Sequence, residues 1–167
     1  AMIGTSRKAA LAVNVTQCDA GLDVAVAQGK PLDGPLRQAL AQVTEELGLA
    51  RLSWENETVA MRVPPVQRFG RAKVAPPPGA FLQSTKEGEA ALCAGVIGVV
   101  GPANRVADLF AGCGTFTLPL AEKASVMAVE SEAEMLEALD HGWRMADGLK
   151  PVTTQASDLY RRPMLPD

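Results

Sequence analysis

The chain has 167 residues, 47% of them apolar, and a formal charge of −3. That is enough apolar content for a packed core, in one domain or two small ones. The charge excludes a chain-wide cationic surface, so any contact with RNA needs a local basic face or another domain.

Residues 8–16 alternate imperfectly between apolar and polar and predict a strand. Asp19-Ala20-Gly21 is a turn signal. Leu22, Val24 and Val26 alternate with Asp23, Ala25 and Ala27, which predicts a second strand and a hairpin. Residues 31–35 read as a loop. A helix is expected over 36–47, with Leu36, Leu40, Val43 and Leu47 on one face and Gly48 as its stop. Residues 52–54 and 58–63 predict another hairpin, turned at Glu55-Asn56-Glu57, with Val59, Met61 and Val63 on one face. Residues 66–74 read as extended, broken at Gly70. Pro76-Pro77-Pro78-Gly79 is the strongest linker signal. The expected division is a small α+β module over 1–75, a linker over 76–83 and a second domain over 84–167. The module carries Arg51, Arg62, Arg68, Arg71 and Lys73, which read either as an RNA-phosphate surface or as an ordinary solvated face. Trp54 and Phe69 read as core or hinge residues.

Beyond the linker, Ser84-Thr85-Lys86-Glu87 has the spacing of a capping box. The helix it opens is expected to reach Val100, with Leu92, Val96 and Val99 facing inward. Gly101-Pro102 ends it. Residues 106–110 form a short apolar run that predicts a buried strand, and Gly112 and Gly114 break it. Residues 115–122 predict the start of a helix. Residues 125–129 predict a second strand, ended by Glu130. Ser131-Glu132-Ala133-Glu134 is a second capping-box pattern. Its helix is expected to reach Ala146 and to bury Leu136, Leu139 and Trp143. His141, the only histidine, reads as a surface residue. Residues 152–156 predict a third strand, with Asp158 just beyond its carboxyl end.

Strand, glycine turn and helix open a nucleotide-type βα unit. A side chain at such a turn would push a ligand away from the backbone. A dinucleotide fingerprint wants a third glycine, and here that position is Thr117. Asp108-Leu109-Phe110-Ala111-Gly112-Cys113-Gly114 is more typical of S-adenosylmethionine sites. Glu130 follows Gly112 at close to the ~20-residue interval at which an acid holds ribose hydroxyls. The plainer reading is a polar residue at a strand end. Ligands of open α/β sheets sit outside the carboxyl ends of the strands. The 110–115 loop, Glu130 and Asp158 follow three such ends, so one pocket can be lined by all of them.

Phe81-Leu82-Gln83, the stretch from Asp108 to Pro119, Val129-Glu130 and Asp158-Leu159 together resemble the RNA uracil-C5 methyltransferases of class I fold, the group acting on ribosomal or transfer RNA. The resemblance is weak before Pro76 and strong after it. It implies an α/β chain: a partial Rossmann-like methyltransferase domain with a parallel sheet, preceded by the α+β module. It implies S-adenosylmethionine as cofactor and RNA as partner, ribosomal RNA before transfer RNA, in the cytoplasm and away from any membrane. It assigns Gln83, Phe110, Thr115, Glu130 and Asp158 to the cofactor, beside the loop residues Asp108, Gly112 and Gly114. Many relatives carry Asn where this chain has Thr115 and Asp158. Both replacements keep an oxygen acceptor, and Asp158 would take the adenine amine.

Methylating C5 of uracil needs a thiolate that adds to C6 and a base that removes the C5 proton. In the family these groups and an Asp-Pro-Pro-Arg motif follow the third strand. None is found in this chain, which is expected to carry no catalytic residue and to be a fragment. Cys113 sits in the glycine turn with nothing to activate it. Cys18, Cys93 and Cys113 share no metal-ligand spacing and read as reduced thiols, with no metal site. The cluster cysteines of many relatives are absent. No apolar run is long enough to span a membrane, and no leader peptide is read. Three parallel strands alone leave an unpaired sheet edge, so a homodimer or a cover along that edge is expected. A dinucleotide-binding oxidoreductase domain and a non-catalytic binding module are the alternatives.

Overall fold

A computed structural model describes residues 10–164. The chain forms two compact units, one up to Gln67 and one from Arg68.

In the first unit β1 (Ala12–Cys18) and β2 (Gly21–Ala27) form the expected antiparallel hairpin. The part of the expected strand before residue 10 lies outside the described residues. Helix α1 (Gly34–Glu46) then carries the chain across to β3 (Arg51–Trp54), which pairs parallel with β2. The hairpin partner of β3 is β4 (Glu57–Met61), and the sheet order is β1-β2-β3-β4. The 31–35 loop contains the α1 cap: the Leu36 amide donates to Asp33 Oδ1 at 2.8 Å. Leu36 and Leu40 pack with Val26, Leu49, Leu52 and Trp54.

Two expected faces differ from the structure. On α1, Leu47 is exposed and Thr44 is buried, its hydroxyl donating to the Leu40 carbonyl. The helix stops at Glu46, and Gly48, at φ 62°, turns the chain so that Leu49 enters the core instead. On β4 Met61 is exposed, and so is Val63 just beyond its end. The register runs Ser53↔Thr58 and then Leu52↔Ala60, so Val59 is an extra residue that breaks the alternation.

The basic residues are also less available than their count implies. Asp23 and Arg51 stand opposite each other in the β2–β3 register. The Arg51 guanidinium donates to both Asp23 oxygens, at 2.8 and 2.6 Å, with both side chains buried. Arg51 therefore cannot face RNA. Arg62 pairs with Glu45 and Arg71 with Glu122.

The second unit opens with β5 (Gln67–Phe69), which straddles the division, and β6 (Ala72–Val74), turned at Gly70. Phe69, Ala72 and Val74 pack with Cys113, Leu118 and Met135, so this hairpin precedes the proline run yet belongs to the second core. Helix α2 (Lys86–Val100) follows. Its cap is Thr85, whose hydroxyl accepts from the Gly88 amide at 3.0 Å. The expected Ser84–Glu87 box is not formed: with the cap one residue later, the reciprocal position is a glycine. Val96, Ile97 and Val100 pack on the sheet, whereas Leu92 and Val99 are exposed.

The sheet itself is β7 (Arg105–Leu109), β8 (Ser125–Glu130) and β9 (Val152–Ala156), all parallel, with β8 central. The β7–β8 connection holds only one helical turn, α3 (Thr117–Leu120), not the longer helix expected. Pro119 lacks the amide that a longer helix would use. Helix α4 (Ala133–Arg144) joins β8 to β9 and buries Met135, Leu136 and Leu139. Trp143 is half-buried and its indole N–H donates to the Lys150 carbonyl. His141 is exposed, as expected.

Replacing Arg51 by Ala leaves a buried carboxylate unpaired. We expect a loss of about 3–5 kcal/mol, against at most about 1 kcal/mol for Arg37→Ala, which breaks the exposed Arg37–Glu57 pair. Urea unfolding of the two variants checks the difference.

Candidate functional site

The loop between β7 and α3 is tied down at both ends by carboxylates from adjacent strands. At its start, Phe110 adopts φ 64°, a left-handed conformation that costs a bulky residue about 1–3 kcal/mol. That turn ends β7 one residue earlier than the apolar run implies and leaves the Phe110 ring exposed. The Ala111 amide then donates to the Val129 carbonyl at 3.0 Å, which keeps the chain against β8. The next amide, of Gly112, donates to Glu130 Oε2 at 3.0 Å.

At the far end the Thr117 hydroxyl donates to Asp108 Oδ2 at 2.5 Å. Thr117 is fully buried, so the residue at the third-glycine position is a tie rather than a ligand contact. The two loop glycines differ in kind. A Cβ at Gly114 would lie 2.9 Å from both Leu118 and Leu139, so this glycine lets the loop pack on its own core. A Cβ at Gly112 would meet nothing within 4 Å. Its φ of 55° and its open surroundings leave backbone accessible to a ligand.

Glu130 does more than end a strand. Its Oε1 accepts from the Ser131 amide at 2.6 Å, the Ser131 hydroxyl at 2.9 Å and the Glu132 amide at 3.2 Å. This takes the place of the capping box expected at Ser131, whose hydroxyl is turned to Glu130, and α4 has no side-chain cap of its own. Burial pushes the Glu130 carboxyl up, but the bonds from Gly112, Ser131 and Glu132 outweigh it and hold the group below its ordinary value. Asp108 moves the other way. Its burial raises it, helped by the nearby Glu130 charge and only partly countered by Thr117.

Asp158 begins the turn after β9. Its Oδ1 accepts from the Tyr160 and Arg161 amides at 3.0 and 3.3 Å, and Arg161 pairs with Oδ2 at 3.4 Å. Gln83 and Thr115 are half-buried, Gln83 in the segment that leads to α2. The sequence reading missed Tyr160, whose ring meets that of Phe110 at 5.4 Å between centroids. A lone aromatic after the last strand gave no pattern that could have found it. Cys113 is buried, and burial pushes its thiol up to about 12, so it is no nucleophile. Among the described residues no group of His, Cys, Asp and Glu is placed to hold a metal ion, and no helix is long and apolar enough to cross a membrane.

No model of a known protein family matches the chain. Over 151 residues, 90% of its length, it is 45% identical to an uncharacterized RNA methyltransferase of Brucella suis. The chain is homologous to a segment of RNA methyltransferases. It spans 36% of that relative's length. Over 85 residues it is also 42% identical to the 23S rRNA (uracil(1939)-C(5))-methyltransferase RlmD of Chromohalobacter salexigens, covering 49% of this chain and 18% of that protein. The Pyrococcus abyssi tRNA (uracil-54, C5)-methyltransferase, solved with S-adenosyl-L-homocysteine, shares the fold at TM-score 0.63 and 16% identity, over 81% of this chain and 35% of its own. The three-stranded parallel sheet thus has the Rossmann-like fold shared with that protein.

The Glu130 clamp has a pH dependence of fixed sign. A carboxyl held below its free value of 4.5 stabilises fully above that value and loses its contribution as the pH falls through the folded value. Hydrogen exchange of the Gly112 amide should show it: protection lost in Glu130→Ala at neutral pH, and lost in the unmutated chain only below about pH 4.5.

Proposed function

We propose that the chain is the cofactor-binding part of an S-adenosylmethionine-dependent RNA methyltransferase acting at C5 of a uridine, in ribosomal RNA before transfer RNA. The observation that carries this is the pairing of RNA-methyltransferase homology with a clamped, ligand-accessible glycine loop at the strand ends. The match to RlmD supports the uridine and ribosomal assignments.

The residues present fit the cofactor. The open backbone at Gly112 accommodates the amino-acid part, with the Thr115 hydroxyl beside it. Glu130 takes the ribose diol through Oε2, which accepts only from the Gly112 amide and keeps a lone pair, whereas Oε1 already accepts from Ser131 and Glu132. We assign Gln83 to the cofactor on the family resemblance, and Phe110 offers an exposed ring. Asp108 and Gly114 act through the loop, the first on Thr117 and the second by packing against Leu118 and Leu139. Asp158 keeps an acceptor for an exocyclic amine only while it also shapes its own turn. When bound, the cofactor supplies a sulfonium methyl, the electrophile of the reaction. Nothing in the clamp deprotonates or attacks a base, and Cys113 is too buried to do so. We assign the thiolate and base to the remainder of the full-length enzyme, and RNA contact to basic surface other than Arg51.

Calorimetric titration with S-adenosylmethionine, S-adenosylhomocysteine and NAD tests the reading. We expect the two adenosyl ligands to bind, NAD to give no heat, and Glu130→Ala to lose binding by at least about tenfold, the scale of one charged hydrogen bond. Binding of NAD alone would point to the oxidoreductase alternative.

The β7 edge carries no strand partner among the described residues, and Leu109, Leu92 and Val99 are exposed on β7 and α2. We propose that this flank is covered, by a second copy when the chain is alone. Sedimentation velocity should then show a dimer that Leu109→Lys returns to monomer; a monomer at all concentrations argues against it.

A further inference from the structure

We propose that Tyr160 is a stacking residue for the adenine ring of the cofactor, an inference that rests on the methyltransferase reading above. The Phe110 and Tyr160 rings reach each other from the two outer strands of the sheet, β7 and β9, so their contact spans the carboxyl end of β8, where Glu130 stands. That is the place where a nucleoside held by Glu130 would present its base.

Both rings are held there by backbone features that packing alone does not require. Phe110 keeps a left-handed φ of 64° and stays 55% exposed, so its unusual conformation brings no burial. Tyr160 is 89% exposed, and its backbone is fixed by Asp158, whose Oδ1 accepts from the Tyr160 amide at 3.0 Å. The Arg162 amide closes the same turn on the Asp158 carbonyl at 2.8 Å. Two exposed aromatic rings whose backbones are set at the strand ends form a platform for a planar heteroaromatic ring.

The pair is closed as it stands. At 5.4 Å and 44° between planes the rings touch at a tilt. A base between them needs two stacking distances, roughly 7 Å in all. Binding therefore opens the pair, and Tyr160, the more exposed of the two rings, is the one that turns aside on its own side-chain torsions. Asp158 is then the positioning residue that sets where Tyr160 leaves the sheet.

The chain has a single tyrosine, so substitution with 3-fluorotyrosine places one ¹⁹F reporter, at Tyr160. We expect S-adenosylhomocysteine and adenosine to shift that resonance and homocysteine to leave it unmoved. Tyr160→Ala should weaken S-adenosylhomocysteine by about tenfold, the loss of one base–ring stack, while Tyr160→Phe should stay within about twofold. Binding of S-adenosylhomocysteine with an unmoved resonance and unchanged affinity in Tyr160→Ala overturns the role of Tyr160 and leaves the cofactor reading standing. A resonance moved by a uridine oligonucleotide and not by adenosine overturns the assignment to adenine. No binding of S-adenosylhomocysteine by the unmutated chain, under conditions where it is folded, overturns both.

Discussion

The hydrogen bond from the Gly112 amide to Glu130 is the contact on which the site depends. It joins the most permissive point of the loop to the end of the central strand. The β7–β8 register sets Leu109 beside Val129, so the residue after each faces the other's loop. Phe110 can turn left-handed only because the amides of Ala111 and Gly112 are then received by Val129 and Glu130. The same carboxylate accepts the Ser131 and Glu132 amides where α4 begins. One side chain therefore fixes both the glycine loop and the helix that follows the next strand.

The second carboxylate, Asp108, shows why the two acids are not interchangeable. Asp108 is half-buried and bonded by Thr117 alone, and its burial raises it. Glu130 is more open and has four donors, and they lower it. A charged acid can be held among several N–H groups, whereas a buried acid with one neutral partner keeps its proton more readily. Glu130, beside Gly112, is thus the acid whose charged form the fold favours, whereas the surroundings of Asp108 favour its charged form less.

The parallel unit was legible in the sequence because its signals are local. Apolar runs at 106–110, 125–129 and 152–156 gave three strands to within a residue, and glycines at 112 and 114 gave the loop. What the sequence did not disclose depends on partners distant along the chain. The Arg51–Asp23 pair follows from a parallel register that no local pattern specifies, and it takes Arg51 out of both the RNA-phosphate and the solvated-face readings. The bulge at Val59 moved Met61 off the core. Both capping boxes failed for nameable reasons: Thr85 outcompeted Ser84, and Ser131 was drawn to Glu130. The meeting of Phe110 with Tyr160 needs the sheet order itself.

That order also explains the unfinished look of one flank. A helix that is apolar all round is ordinarily buried on more than one side. Here α2 packs Val96, Ile97 and Val100 against the sheet and leaves Leu92 and Val99 in solvent, while β7 is an edge strand of that sheet among the described residues. The ligand-facing end does not share this incompleteness. The amides of Ala111, Gly112 and Gly114, the two carboxylates and the turn after β9 are internally bonded. On the reading proposed above, a base that enters between Phe110 and Tyr160 exchanges one ring contact for others, so its net gain is the difference between them. A ribose hydroxyl instead adds a bond at Glu130 Oε2, which accepts only from Gly112. The sugar then contributes more to affinity than the base, and the base contributes the choice between nucleosides and other diols.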